Sequence, residues 1–253
     1  MTDAELVARL RANMVAYKRF QAELGPMRAL VLPGVWAFAQ PQLPDQPHPQ
    51  QVLYEDVGAL EAALPEIEGF YREHRVPLWR VQVPIGDTAA AHLLRHAGMH
   101  PRETDATPAM GLSLTEGTLP APRVPLERLR NQEELIPLNA KAFEAHSRIV
   151  SHPWHVRSFP QLHILGLREG NRLLSAGMAH DLGETAGIYL VATANEARGR
   201  GLASEVMRGL LADAQARGCT AAVLQATELG YGVYRRLGFR DLGRWISWVF
   251  PPR

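Results

Sequence analysis

The chain has 253 residues, which is enough for one large domain or for two domains of about 125 residues each. Its 27 lysine and arginine residues balance 26 aspartate and glutamate residues, and the formal net charge of +1 argues against a dedicated nucleic-acid-binding protein. Cys219 is the only cysteine, which excludes a disulfide framework and a four-cysteine zinc site. With 46% hydrophobic residues, the chain can bury a core without such support.

An amphipathic helix over residues 1–21 is the first predicted element. Its apolar side chains recur at helical spacing and are Leu6, Leu10, Met14 and Tyr17. The longest apolar stretch, residues 27–39, is shorter than the roughly 20 residues that a membrane-spanning helix needs, and Pro33 interrupts it. We therefore expect no membrane association and a cytoplasmic protein.

The rest of the N-terminal half alternates strands and helices. Strands are predicted over residues 29–39, 78–83 and 109–114, and helices over residues 58–75 and 87–97. A proline-rich segment at residues 40–50 favours neither a helix nor a paired strand, and we expect it between the first strand and the helix that follows. A second proline-rich segment, residues 118–125, is typical of a linker, and it predicts two domains. These domains would span residues 1–119 and 124–253.

The C-terminal half repeats this alternation with clearer boundaries. Its predicted strands span residues 124–130, 162–167, 172–180, 187–193, 221–226 and 241–250, and its helices residues 132–144, 201–217 and 229–237. In both halves a strand, a helix, a glycine and a strand follow one another, so that LLRHAGMHP at residues 93–101 corresponds to YRRLGFRDL at residues 234–242. This order predicts an α/β protein with a duplicated fold, although two ordinary α/β halves would also produce it.

The segment VATANEARGRGLAS, residues 191–204, carries the strongest chemical signal. It leads from a predicted strand through a turn into a helix, whose free N–H groups and positive dipole end favour an anion such as a pyrophosphate. Gly199 and Gly201 allow the backbone to approach a phosphate without an intervening Cβ. Arg198 and Arg200 add positive charge beside it.

Three interpretations of this segment compete. It is a solvated glycine-rich loop, a dinucleotide-binding loop, or the phosphate loop of a family that it resembles. The dinucleotide fingerprint fits poorly, because its glycines should follow the strand directly and Ser204 stands at the position of its third small residue. A P-loop is excluded, since no G-x-x-x-x-G-K-[ST] motif occurs in the chain.

The family resemblance rests on two motifs. Arg198-x-x-Gly201-x-Ala203, placed after a strand, resembles the [Q/R]-x-x-G-x-[G/A] motif of the GNAT superfamily of acyl-CoA N-acyltransferases. The sequence VYRRLGF at residues 233–239 resembles the second signature of that family, Y-x-x-x-G-F. The N-terminal half resembles a degenerate copy. The resemblance thus implies two tandem GNAT-like domains, each with a central mixed β-sheet flanked by helices.

The resemblance also implies a role for each matched residue. The main chain of the strand would pair with the pantetheine arm of acetyl-CoA, and the N–H groups of the glycine-rich turn would hold its pyrophosphate. The implied coenzyme-binding residues are Val191, Ala192, Thr193, Arg198, Gly199, Arg200, Gly201, Leu202, Ala203 and Ser204. Tyr234 would face the thioester sulfur and act as the general acid, since a nearby hydroxyl can donate a proton or a hydrogen bond to a thiolate whose conjugate acid has a pKa of about 8.5. The alternative role for Tyr234 is that of a core aromatic residue.

The implied reaction transfers an acetyl group from acetyl-CoA to a primary amine of a small molecule or peptide, by direct attack in a ternary complex. A non-catalytic acyl-CoA-binding sensor or scaffold is the alternative from a different class. The strands at residues 187–193 and 221–226 contain no carboxylate or histidine, so no general base is assigned. Thr227 stands where many relatives have an asparagine that contacts the coenzyme, and that contact is not carried over. Acceptor choice is expected to depend on residues 145–158.

No metal site is expected from the histidines. His92, His96 and His100 are spaced four apart, but the helix is predicted to end between the second and the third. Cys219 precedes a strand and is interpreted as a small buried hydrophobic residue. Because the prolines of residues 40–50 remove backbone donors where a second phosphate loop would lie, we expect one coenzyme site per chain, in the C-terminal domain.

Overall fold

The computed structural model of the protein describes residues 1–115, 117, 119–143 and 153–250. The helices in these residues are α1 (Asp3–Leu24), α2 (Val57–Glu73), α3 (Thr88–His96), α4 (Leu135–Ala142), α5 (Leu202–Ala216) and α6 (Glu228–Arg236). The strands are β1 (Arg28–Leu32), β2 (Val35–Ala39), β3 (Gln51–Tyr54), β4 (Trp79–Pro84), β5 (His100–Ser113), β6 (Glu127–Leu129), β7 (Leu162–Glu169), β8 (Arg172–Leu182), β9 (Thr185–Thr193), β10 (Ala221–Gln225) and β11 (Arg240–Phe250). None of the described helices combines the length and the apolar character that crossing a membrane requires.

Several helices begin where a side chain satisfies the N–H groups of the first turn. The Asp56 carboxylate accepts the Ala59 N–H at 2.9 Å at the start of α2. Asp87 and Thr227 cap α3 and α6 in the same way. Helix α5 instead has Gly201 at its N-cap position, and glycine has no side chain that could accept a hydrogen bond. The N-terminus of α5 is therefore left without a side-chain cap.

The chain folds into two compact units. The larger unit consists of Met1–Asn13 with Ala109–Leu242, and the smaller unit of Met14–Pro108 with Gly243–Arg253. The divisions fall inside α1, β5 and β11, so neither unit is one continuous piece of chain. The division into residues 1–119 and 124–253 stays a prediction, from which these units differ in the first half of α1, the end of β5 and the end of β11.

The larger unit has a mixed β-sheet with the strand order β5-β10-β9-β8-β7-β6. Strands β9 and β10 are parallel, and the other neighbouring pairs are antiparallel. Parallel neighbours need a crossover connection, and α5 provides it between β9 and β10. Helix α5 covers one face of the sheet, where Ile188, Val206 and Leu210 belong to one buried apolar core.

The smaller unit contains the strand order β1-β2-β3-β4-β11, in which β3 and β4 are parallel and joined through α2. Its core includes Ile67 of α2, Val81 of β4 and Leu94 of α3, all fully buried. Both units are thus mixed β-sheets flanked by helices. This confirms the predicted α/β fold class.

Two expectations for the smaller unit are wrong. The single strand predicted over residues 29–39 is a hairpin, because Pro33 has no N–H to pair and Gly34 adopts a φ of +69° at the turn between β1 and β2. The proline-rich residues 40–50 do not lead into a helix. They join β2 to β3 through successive turns, and the four-residue β3 was too short to show a strand pattern in the sequence.

In the larger unit the predicted elements are present with shifted ends. The hairpin of β7 and β8 turns at Gly170, whose φ is +58°. The helix predicted over residues 132–144 is the shorter α4, and residue 144 lies outside the described residues. The segment expected to cover the acceptor is described only from residue 153 onward, where a short 3-10 helix spans Pro153–Val156.

Candidate active site

Strands β9 and β10 separate shortly after they meet. Their parallel pairing covers Thr185 to Gly187 of β9 and Ala221 to Val223 of β10. Strand β9 then continues for six residues and β10 for two, and no pairing joins them there in the part of the chain that the structure describes. We call this gap, between residues 188–193 of β9 and 224–225 of β10, the β9–β10 cleft. The edge of β9 that faces it has backbone groups that β10 does not pair.

A β-bulge at Leu190 accompanies the separation. Ala176 and Met178 of β8 oppose Ala192 and Tyr189 of β9, so β9 contains one extra residue over this interval. Leu190 adopts a φ of +56°, which is rare for a residue with a branched side chain. Bulges bend and twist the strand that carries them, which accounts for the departure of β9 from β10.

The glycine-rich turn after β9 is exposed and open. Gly199 and Gly201 have φ values of +76° and +78°, and a Cβ built on either would meet no atom within 4 Å. A side chain at either position would be strained and would project into open space. Turns with left-handed residues can form concave anion-binding sites from successive backbone N–H groups, and this turn has two such residues.

The N–H groups of this turn have few partners. The Ser204 N–H donates to the Gly201 carbonyl at 3.0 Å, and the Arg198 N–H to the Asn195 carbonyl at 3.3 Å. Within the described residues, the N–H groups of positions 199–203 donate to no carbonyl. Because the 15-residue α5 starts here, its positive dipole end adds to the attraction for an anion.

The two arginines of the turn have different partners. A guanidinium NH2 group of Arg198 donates to the Ala142 carbonyl at the end of α4, at 2.6 Å. This contact places a cation at a helix C-terminus, where the dipole favours it. Arg200 pairs with Glu169 at 3.0 Å in an exposed position. The Arg198 side chain thus holds the turn to α4, while Arg200 lies at the surface.

The three predicted residues at the end of β9 have side chains that face protein. Val191 packs against the core under α5, and Ala192 is buried. The Ser175 hydroxyl lies 2.9 Å from the Thr193 hydroxyl and donates to the Ala192 carbonyl at 3.1 Å. Ala192 can therefore offer only its main chain to a ligand, while the side chains of Val191 and Thr193 are half-buried.

The first residues of α5, Leu202, Ala203 and Ser204, are half-buried. Leu202 packs with Leu138 of α4 and with Ala197 in a small apolar cluster. This apolar packing stabilises the turn, while the N–H groups of the turn remain uncovered.

Tyr234 lies on α6 and is 9% exposed. Its ring meets the Phe239 ring edge-on at a centroid distance of 5.8 Å, and both belong to the apolar core of the larger unit. Burial raises the pKa of Tyr234 to about 12, so its hydroxyl stays protonated at neutral pH. Burial is the only cause of this shift, and no hydrogen bond from the described residues contributes to it. The Tyr234 hydroxyl can therefore donate a hydrogen bond at the edge of the apolar core of the larger unit.

His180, Glu184, Thr227 and Glu228 lie close in sequence to β9 or α6. The Thr227 hydroxyl accepts the Gly230 N–H at 3.1 Å and so caps α6. Glu184 accepts the Thr220 hydroxyl at 3.1 Å, and Glu228 is exposed. His180 is 3% exposed, and burial lowers its pKa to about 4, which keeps its ring neutral near pH 7.

No group of three metal-binding side chains occurs among the residues that the structure describes. The His92 and His96 rings lie 4.2 Å apart, and His96 Nδ1 lies 2.9 Å from the His92 carbonyl. Cys219 is 5% exposed, and burial raises the pKa of its thiol. His152 lies outside the described residues, while His155 is buried.

The bulge at Leu190 is the feature that sequence reasoning missed. Leucine gives no signal for a positive φ, and the apolar run of β9 predicts an ordinary strand. The glycines of the following turn were detectable because glycine is the residue that such conformations favour.

Comparison with known proteins agrees with this geometry. Residues 132–241 match the family model of an acetyltransferase (GNAT) domain. No curated protein sequence is significantly similar to the chain. Among solved structures, a GCN5-related N-acetyltransferase from Kribbella flavida is 16% identical with a TM-score of 0.68, and the match covers 95% of each chain.

Two further solved structures are similar over nearly the whole chain. A GCN5-related N-acetyltransferase from Sphaerobacter thermophilus is 16% identical with a TM-score of 0.63, covering 98% of this chain and 93% of that one. A tandem GNAT protein from the clavulanic acid biosynthesis pathway is 13% identical with a TM-score of 0.63, covering 98% and 95%. At these identities the similarity concerns the fold.

The family model falls entirely within the larger unit and includes both sequence motifs, the glycine-rich turn and Tyr234. The fold of both units agrees with that of a solved tandem GNAT protein. Residues 132–241 therefore form an acetyltransferase (GNAT) domain, and the whole chain has a fold similar to that of GCN5-related N-acetyltransferases.

Proposed function

We propose that this protein is a cytoplasmic enzyme that transfers the acetyl group of acetyl-CoA to a primary amine of a small molecule or peptide, by direct attack in a ternary complex. The observation that carries the proposal is the open glycine turn at the end of the β9–β10 cleft. There, available N–H groups for a diphosphate adjoin a strand edge that can pair with the amides of an extended ligand.

The diphosphate of the coenzyme would bind to the N–H groups of residues 199–203. Gly199 and Gly201 permit close approach, since no Cβ stands between the backbone and the anion. The side chain of Arg198 holds the turn to α4, so its proposed contribution is to fix the turn and add positive charge. Arg200 is exposed enough to exchange Glu169 for a phosphate oxygen.

The pantetheine arm would lie in the β9–β10 cleft and pair with the main chain of Val191, Ala192 and Thr193. Main-chain hydrogen bonds of this kind add a strand to an open sheet edge. The side chains of these residues pack into the protein, so the proposed recognition uses backbone groups only.

The proposed reaction has two simultaneous changes of bonding. The neutral amine nitrogen attacks the thioester carbonyl carbon, and the carbon–sulfur bond breaks to release a thiolate. The amine loses one proton in the process, and the thiolate gains one to leave as free CoA. No residue is assigned to remove the proton from the amine.

Tyr234 is proposed to assist the leaving sulfur. The pKa of its hydroxyl, about 12, exceeds the value of about 8.5 that is typical of a thiol, so the thiolate is a weaker base than tyrosinate. Donation of a hydrogen bond to the thiolate is therefore favoured over complete proton transfer. We therefore propose that Tyr234 acts as a hydrogen-bond donor in the transition state and not as a full general acid.

The second candidate function is an acyl-CoA-binding sensor or scaffold without turnover. One observation favours it, because β9 and β10 contain no carboxylate or histidine that could deprotonate an amine. Such a protein would bind the coenzyme through the same turn, so binding alone does not separate the two functions.

The test is a binding titration followed by an activity assay. Isothermal titration calorimetry with acetyl-CoA should give one site per chain. Thiol release from acetyl-CoA is then followed with a polyamine, an amino acid, an aminoglycoside and a peptide with a free N-terminus. Amine-dependent release supports the enzyme, and binding without release supports the sensor. A protein with no affinity for CoA or its thioesters would refute both.

A further inference from the structure

The first half of α1 contacts the face of β9 that is turned away from α5. Alternation along β9 places Tyr189 on this face, since Ile188 belongs to the core under α5. Asn13 of α1 is fully buried there, and its side-chain oxygen accepts the Tyr189 hydroxyl at 2.8 Å. Its NH2 group donates to the His180 carbonyl of β8 at 3.0 Å and to the Thr185 carbonyl of β9 at 3.4 Å.

This contact requires the helix to lie very close to β9. A Cβ built on Gly187 would overlap the side-chain amide of Asn13, so only glycine leaves room for it at that position. The amide is thus enclosed by backbone on one side and by the Tyr189 hydroxyl on another. A side chain with these contacts has one accessible orientation.

Arg9, one helical turn before Asn13, contacts the closed end of the β9–β10 cleft. Its guanidinium donates to the Thr185 hydroxyl of β9 at 3.1 Å and to the Thr220 hydroxyl beside the start of β10 at 3.0 Å. Thr185 pairs with Ala221, the first residue of β10, so Arg9 joins the two strands where they are still paired.

We propose that Asn13 and Tyr189 are positioning residues that hold the Leu190 bulge and thereby set the shape of the β9–β10 cleft. Tyr189 directly precedes Leu190, and its hydroxyl is fixed by a buried amide that is itself bonded to β8 and to the start of β9. A strained residue such as Leu190 persists only where its surroundings determine its conformation. The consequence for catalysis rests on the proposed function, in which the thioester lies along this part of β9.

Hydrogen–deuterium exchange tests the positioning role without any assay of activity. Tyr189→Phe removes one hydrogen bond, and Asn13→Leu removes three while keeping a similar volume. Both should speed exchange of the amides of residues 188–193, by about tenfold for Asn13→Leu. Tyr71→Phe is the matched control, because its buried hydroxyl donates to the Phe38 carbonyl at 3.0 Å in the smaller unit. It should leave this peptide unchanged.

Ligand binding and turnover give the second measurement. A distorted bulge should lower kcat for amine-dependent thiol release by about tenfold and should weaken CoA binding by a smaller factor, because the glycine turn proposed to hold the diphosphate is intact and only the pairing along β9 is disturbed. Tyr71→Phe should lower the melting temperature about as much as Tyr189→Phe without changing kcat. Tyr189→Phe serves as the milder variant if Asn13→Leu does not fold.

The outcomes separate this inference from the proposed function. Unchanged exchange at residues 188–193 in both variants overturns the positioning role. An effect on kcat no larger than that of Tyr71→Phe overturns its catalytic consequence. If the unaltered protein releases no thiol, the proposed function fails, and the exchange experiment still decides whether Asn13 and Tyr189 hold the bulge.

Discussion

The two units share a parallel strand pair joined by a helix, but they differ where the first strand meets that helix. In the larger unit, residues 194–201 separate β9 from α5, and Gly201 leaves the helix N-terminus without a side-chain cap. In the smaller unit, only Glu55 and Asp56 separate β3 from α2. The Asp56 carboxylate accepts the Ala59 N–H at 2.9 Å, so the N-terminus of α2 is already occupied by a carboxylate of the protein.

This difference indicates that the link between strand and helix, more than the sheet, sets which helix N-terminus is open to an external anion. A carboxylate at the helix N-terminus satisfies its N–H groups and repels a second negative charge. The proline-rich residues 40–50, which sequence reasoning held responsible, lie between β2 and β3 instead. A single coenzyme site per chain stays a prediction, and the structure supports it through Asp56 and the two-residue link rather than through the prolines.

The largest expected effect comes from placing a carboxylate in the glycine-rich turn of the larger unit. In Gly201→Asp the new side chain would occupy the N–H groups and repel the diphosphate, so we expect about 1,000-fold weaker binding of acetyl-CoA. Calorimetry measures the change. Gly218→Asp is the matched control, because Gly218 also has a positive φ, +90°, and open space around it. Equal losses in both variants would mean that strain, and not charge in the turn, is responsible.

Acid should weaken the larger unit through His180. Its folded pKa of about 4 lies below the ordinary value of 6.5, so between these values the unfolded chain binds a proton that the folded protein excludes. The free energy of unfolding should therefore fall by about 3 kcal/mol as the pH drops from 6.5 to 4. Chemical denaturation at both pH values measures this. His180→Asn should show a smaller fall, and an unchanged pH dependence would rule out His180 as the cause.

Tyr234→Phe tests the proposed donor in the larger unit. Loss of a hydrogen bond to the leaving thiolate should slow thiol release by about 30-fold, and the Kd for acetyl-CoA should stay within about twofold. Steady-state kinetics and calorimetry give the two values. Tyr71→Phe removes a buried hydroxyl from the smaller unit and should not change the rate. A Tyr234→Phe enzyme with the original rate would remove Tyr234 from the mechanism.

The smallest expected effect comes from Asp56→Ser in the smaller unit. Serine also caps helices, so the free energy of unfolding should change by less than about 0.5 kcal/mol. Because the link to α2 still lacks a glycine turn, the calorimetric stoichiometry of acetyl-CoA should remain one per chain. A stoichiometry of two would show that the Asp56 charge alone closes this unit to the coenzyme.

Local sequence predicted the glycine turn and the helix of Tyr234 because both depend on residue types with distinctive conformations. Gly199 and Gly201 adopt the positive φ that glycine favours, and the apolar period of α6 is visible without tertiary contacts. Leu190 and Asn13 gave no such signal. A leucine in an apolar run predicts a regular strand, and an asparagine on an amphipathic helix predicts a solvated position.

The amino-acid sequence by itself determined the fold class, most of the strands and helices outside β1 to β3, and the position of the glycine-rich turn, because these follow from apolar periodicity and from glycine. Only the tertiary structure decided that β9 bulges and leaves β10, and that Asn13 is buried against Gly187. The physical reason is that these features arise from contacts between residues far apart in the chain. Local preference does not encode such contacts.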